Sequence, residues 1–162
     1  MFMNNSMRNL ISGAHWRGKK IAPALLEILT SGFIEVEGCY FLKALYEYCP
    51  NVALVEFPDS TGFECFVNSI HVDDYVESDW LVQALLFADE SVRFWYALSK
   101  EIKLTVIISS DEFGAVVKLH SSRPGEAWLG PNLEGYQDPV LSFETSEYSL
   151  GFLDAINKIS DA

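Results

Sequence analysis

The stretch DWLVQALLFADESVRFWYALSK, residues 79–100, organises the reading of this chain. Leu81, Leu85, Ala88, Val92 and Trp95 recur on one stripe, with Trp80, Ala84, Phe87, Phe94 and Leu98 around it. Apolar recurrence at three- and four-residue steps marks a helix packed on a core, and so wide an apolar face predicts a central position. The segment reads as one helix, or as two meeting at Asp89-Glu90-Ser91 with Asp89 capping the second.

Working outward from that helix, strand signals follow on its C-terminal side. Leu104, Val106 and Ile108 alternate with Lys103, Thr105 and Ile107, and Val117 and Leu119 alternate with Lys118 and His120. Asp111-Glu112-Phe113-Gly114 supplies the turn of a hairpin. Six breakers between Ser121 and Pro139 (Pro124, Gly125, Gly130, Pro131, Gly135 and Pro139) predict a long loop tethered by Trp128, Leu129, Leu133 and Tyr136. Val140 to Glu144 reads as a last strand, and Ser149 to Ile159 as a closing helix burying Phe152, Leu153, Ile156 and Ile159.

On the N-terminal side, Pro23 opens a short helix over about 23–30 that Ser31-Gly32 stops. Phe41, Leu42, Leu45, Tyr46 and Cys49 suggest a second helix ended by Pro50-Asn51, with Phe33 to Val36 as its lead-in or a brief strand. Val52 to Phe57 and Phe63 to Val72, joined by Pro58-Asp-Ser-Thr-Gly62, read as another hairpin. Residues 1–19 show no sustained period and read as a loosely ordered basic arm. The expected architecture is a single α+β domain over residues 1–162, with helices packed on an antiparallel sheet of about four or five strands.

At 162 residues and 49% hydrophobic, the chain can bury roughly two-thirds of its unfolded surface without staples. Cys39, Cys49 and Cys65 form an odd set whose spacing matches no common zinc or disulfide framework, and the N-terminus has no continuous apolar core of a signal peptide. A cytoplasmic protein with reduced thiols is the expectation. Charged residues interrupt every apolar run before the roughly 18 residues that span a bilayer, so no membrane role is expected.

Charge is distributed unevenly. Residues 1–20 carry Arg8, Arg17, Lys19 and Lys20 and no carboxylate, so all 23 acids lie beyond them. Between Lys43 and Arg93 there is no base, against ten acids: Glu47, Glu56, Asp59, Glu64, Asp73, Asp74, Glu77, Asp79, Asp89 and Glu90. An acid excess usually means a solvated, solubilising face. A solubilising surface mixes both signs, however, and like charges held this close repel. Tyr75, Trp80, Phe57 and Phe63 are interleaved with them, and aromatic anchors ringed by charge are the anatomy of an interface. Such a balance repels nucleic acid and anionic membrane and attracts a basic macromolecule.

Signatures of catalysis are missing: there is no nucleophile elbow, phosphate-binding loop, dinucleotide fingerprint or His-Glu-x-x-His. Read as one strand face, Cys65, His71 and Asp73 would offer a metal three ligands, but a strand end entering a loop explains them as well. His15 and His120 read as ordinary histidines, and the cysteines as small buried hydrophobes. No cofactor, metal site or catalytic residue is assigned.

The runs HSSRPGEAWL (120–129) and NLEGYQDPVL (132–141), with the acidic segment before them, resemble the small acidic immunity proteins of bacterial polymorphic toxin and contact-dependent growth inhibition systems. The likeness lies in size, acidity and α+β pattern along the whole chain. It implies a stoichiometric, non-enzymatic inhibitor of a cognate basic toxin, commonly a nuclease. Its carboxylates would stand in for phosphates and speed association. The residues expected at that interface are Asp73, Asp74, Glu77 and Asp79, with Tyr75 and Trp80 as anchors; the loop bearing Glu126, Trp128, Glu134, Tyr136 and Asp138 is the second choice. A nucleic-acid-mimicking regulator, a small enzyme with an unfamiliar site and a structural subunit are the alternatives.

Overall fold

The computed structural model describes residues 1–99, 101–147 and 151–160, with residues 159 and 160 as backbone only. In chain order the elements are β1 (Phe2–Met3), α1 (Asn5–Gly13), α2 (Pro23–Thr30), β2 (Phe33–Val36), β3 (Cys39–Leu42), α3 (Lys43–Tyr46), α4 (Ser60–Val67), β4 (Ser69–His71), α5 (Trp80–Leu98), β5 (Leu104–Ser110), β6 (Ala115–Ser121), β7 (Val140–Glu144) and α6 (Phe152–Ser160). Five strands form one antiparallel sheet in the order β1-β7-β5-β6-β4, and β2 and β3 form a separate hairpin. The α+β expectation holds.

Helix α5 is continuous and central. Leu85, Phe87, Ala88 and Trp95 are fully buried, and the helix packs with Leu104, Val106, Ile108, Val117 and Leu119 of the sheet, and with α2 and α6. Asp89 does not break it. Its carboxylate takes Arg93 at 2.9 Å and accepts the Leu153 N–H at 3.2 Å, so it caps the first turn of α6 from another helix. Leu85→Ala should cost about 2 to 5 kcal/mol of unfolding free energy in a urea titration. A loss well below about 1 kcal/mol would contradict a core position for that side chain.

Three expectations are corrected. Residues 1–19 are not a loose arm: the Asn4 side chain accepts the Met7 N–H at 2.9 Å and starts α1, while Met7, Ile11 and Trp16 enter the core. Asn4 also donates to the Asp138 carbonyl and accepts the Val140 N–H, fastening the N-terminus to β7. Phe33–Val36 takes the brief-strand alternative, but Phe41 and Leu42, expected in the second helix, instead pair with it in a hairpin. Glu37 and Gly38 both have positive φ, 53° and 77°, as a two-residue type I′ turn requires. Only Lys43–Tyr46 is helical after it.

The hairpin expected over 52–72 is instead a 3-10 turn at Leu54–Glu56 followed by α4 and the short β4. Asp59-Ser-Thr-Gly62 acts as a helix cap rather than a hairpin turn, with Asp59 Oδ1 accepting the Gly62 N–H at 2.7 Å. Fully buried Asn68, just beyond α4, joins the two sheets. It accepts the Leu42 N–H at 2.8 Å and donates to the carbonyls of Tyr40 and Leu119.

The expected hairpin at 104–120, the long loop and the strand at 140–144 are present. Helix α6 buries Phe152 and Ile156; residues 149 and 150 and the Ile159 side chain lie outside the described residues.

Candidate functional site

The acidic tract surfaces where β4 ends. Val72 is fully buried and anchors a 3-10 turn over Val72–Asp74, with the Tyr75 N–H returning to the Val72 carbonyl at 3.0 Å. A plug followed by a tight turn turns the next side chains outward, and Asp73, Asp74, Tyr75, Glu77 and Asp79 are all exposed. They do not share one surface. Asp79 takes a left-handed backbone at φ 58° and pairs with Lys19 from the N-terminal segment. Trp80 is half-buried against the core, and its indole N–H donates to the Val76 carbonyl at 3.0 Å. Of the two expected anchors, Trp80 is therefore occupied within the fold.

Asp73 lies over the β5–β6 turn. A side chain on Gly114 would place its first carbon 2.1 Å from Asp73 Oδ1, so glycine is what admits the carboxylate there. That turn is rigid: Asp111 Oδ1 accepts the Phe113 and Gly114 N–H groups at 2.8 and 3.0 Å. Asp73, Asp111 and Asp138, together with His71, Ser109 and Ser110, line a groove of about 220 Å³ with no Lys or Arg in its wall. Phe113, at its rim, is 74% exposed.

The second-choice loop enters this same groove. Glu126 is spent on the Thr61 N–H at 2.9 Å and Glu134 on the Asn5 N–H at 2.9 Å, where it meets the positive end of α1. Asp138 remains, beside Asp73. The two stretches proposed as rivals thus meet in one place, with Asp111 added. Asp111 was read only as a turn residue, and turn chemistry carries no signal that β4 ends alongside it.

Tyr75 faces a different groove, about 380 Å³, between α2 and α3 and lined also by Glu27, Glu47 and Tyr48. Burial, then the neighbouring Asp74 carboxylate and Tyr48, push its phenol above the ordinary tyrosine range, so it stays a neutral donor. Glu27 and Glu47 flank the hydroxyl-bearing rings. No base lines this groove either, which makes it a second acceptor-rich surface.

Metal and thiol chemistry find little here. Cys65 is buried in α4 while His71 and Asp73 are exposed, so the three do not converge. Among the described residues no group of three or more His, Cys, Asp or Glu side chains is placed to hold a metal ion. Burial pushes the Cys65 thiol up to about 12, which removes its nucleophilic form at neutral pH. His120, expected on a polar face, is 4% exposed with Nδ1 at 3.0 Å from the Ser121 carbonyl, and burial lowers its pKa. Carboxylates at an exposed groove can receive guanidinium and ammonium groups.

Residues 2–159 match the family described as "Uncharacterized protein PM0498 family". The chain belongs to that family. It is similar to "Uncharacterized protein PM0498" of Pasteurella multocida (strain Pm70), 32% identical over a 140-residue alignment covering 78% of this chain and 87% of the relative. No solved structure matches the chain. The family match runs from β1 into α6, so it takes in every element that builds the groove. Among the described residues no helix is long and apolar enough to cross a membrane.

Proposed function

We propose that this chain is a binding protein for a basic protein partner, acting as an immunity protein that neutralises a cognate toxin in the cytosol, with a nuclease as the fitting class. The observation that carries this reading is the groove of Asp73, Asp111 and Asp138. Three segments of chain deliver carboxylates to one wall that holds no cation, next to an exposed Phe113. A nuclease holds its substrate with Lys and Arg, so a partner's basic side chains inserted here are withdrawn from phosphate. Bidentate carboxylate–guanidinium pairing supplies geometry as well as energy.

Unneutralised charge supports the same reading. Glu47, Asp73, Asp74 and Glu77 are exposed and form no ion pair with a described residue, unlike Glu64, Asp79 and Asp89. The cost of that repulsion falls away when a basic surface docks. The partner is identified by affinity purification from the native host with mass spectrometry. Its association rate with the chain should then fall steeply between low and physiological salt, since exposed charges beyond about 10 Å are screened there. An on-rate unchanged by salt would overturn electrostatic capture.

A further inference from the structure

The back of the sheet holds a third, chemically different cavity. Phe57, Pro58, Phe66, Ala127 and Trp128 form the apolar wall of a groove of about 830 Å³, and the Lys118 ammonium lies within it. Phe66 is 54% exposed and Trp128 43%, large aromatic surfaces that the fold leaves uncovered. Phe57 stacks on buried Phe63 with centroids 5.0 Å apart, which fixes one wall. Size and lining match small-molecule sites, where an apolar body is held by walls and oriented by one or two polar groups.

The polar group here is singular. Lys118 and Arg123 are the described cations withdrawn from solvent, and they are treated differently. Arg123 sits against the Glu64 carboxylate at 2.7 Å. Lys118 Nζ meets neutral acceptors, Ser69 Oγ at 2.8 Å and the Cys65 carbonyl at 3.3 Å, and lies 5.3 Å from the centre of the Trp128 ring. Asp59 also lines the groove, but its Oδ1 is taken up capping α4. In a chain of net charge −12, a half-buried ammonium with no carboxylate partner among the described residues is conspicuous. Burial pushes its pKa below the ordinary lysine value, a shift that an anion seated beside it would reverse.

We infer that this groove binds a small aromatic carboxylate, its ring between Phe57, Phe66 and Trp128 and its carboxylate on Lys118 Nζ. Lys118 has a third N–H to give, and a charge-assisted bond in a partly desolvated site is stronger than the neutral contacts it now makes. The site is separate from the proposed protein-binding groove and does not depend on that reading; His71, at the β4 edge, is the residue both grooves touch.

The test is calorimetry of the full chain with 2-naphthoate and with its neutral isostere 2-naphthamide. Naphthoate should bind saturably and more tightly than the amide. Lys118→Met should weaken naphthoate about tenfold or more and leave the amide within about twofold, while Lys118→Arg keeps most naphthoate affinity. Trp128→Ala should weaken both ligands, which places them in this groove. The inference is overturned if naphthoate shows no saturable binding, if acid and amide bind alike, or if a folded Lys118→Met chain binds naphthoate as well as the parent. Should Lys118→Met fail to fold by circular dichroism, the acid–amide comparison on the parent chain and the Trp128→Ala result decide.

Discussion

Glu64→Ala is expected to destabilise the fold by about 3 to 5 kcal/mol, because it strips the fully buried partner from a largely desolvated ion pair. The Glu64 side chain has no exposed surface, and its two oxygens receive five donors. These are the Tyr40 N–H at 2.6 Å, the Ser121 N–H at 2.7 Å and hydroxyl at 2.8 Å, and Arg123 Nη1 and Nη2 at 2.9 and 2.7 Å. Three elements meet there: α4 supplies the acid, β3 and β6 the backbone donors. Arg123 is held further above its ordinary pKa chiefly by the Glu64 hydrogen bonds. Truncation orphans two buried N–H groups and leaves the guanidinium only the Gly38 and Ser121 carbonyls. Glu64→Gln keeps the shape but turns one acceptor into a donor that faces donors, so about 1 to 3 kcal/mol is expected for it. Urea unfolding of both variants checks this. A loss below about 1 kcal/mol for Glu64→Ala would mean the network is spectator to the fold.

That network also shows why part of the fold was hidden in the sequence. Within the acidic tract, Glu64 read as one more charge and Asp89 as a cap within its own segment, yet one is the buried tie between sheets and the other caps a distant helix. Sequence spacing cannot separate a surface acid from one that finds a donor 57 residues away on β6. The elements legible from spacing were those with a long single period: α5, the β5–β6 hairpin and β7, whose apolar faces are set by one-sided burial. Among short elements α2 lies where Pro23 and Ser31-Gly32 place it, but those around 39–72 failed for local reasons. Phe63, Cys65 and Val67 alternate like a strand, but Phe63 and Val67 are also four apart, and the Asp59 cap decided for helix. Glu37-Gly38 carried the turn, yet the following Phe41, Leu42 and Leu45 gave a competing helical period.

Of the candidate site, only the exposure of its residues was legible. Asp73, Asp74, Tyr75 and Glu77 are where the sequence placed them, exposed at the end of β4. Their grouping was not legible, because the pairing of β4 with β6 brings the β5–β6 turn and the end of the long loop to Asp73, while the reversal at Val72–Asp74 turns Tyr75 toward α2 and α3. Asp79 and Trp80 gained partners inside the chain, Lys19 and the Val76 carbonyl, that no local pattern announces.

The second large effect concerns binding. Asp73→Lys with Asp138→Lys reverses two of the three carboxylates of the groove, and both positions are exposed, so the fold should persist. Against a basic partner, reversal replaces attraction by repulsion at the centre of the contact, and an affinity loss of about 2 to 5 kcal/mol is expected, most of it in the dissociation rate. Glu35→Lys with Glu101→Lys makes the same change in net charge at exposed positions away from the groove. Long-range steering responds to both pairs, but the bound complex responds only to charges it touches.

The decisive measurement is the equilibrium affinity of the co-purified partner for these two double variants, each shown to be folded by circular dichroism. A loss of about thirtyfold or more for Asp73→Lys with Asp138→Lys, against less than about threefold for Glu35→Lys with Glu101→Lys, is the expected result. Equal affinities for the two variants, or full affinity in the groove variant, would contradict a basic partner seated on Asp73, Asp111 and Asp138.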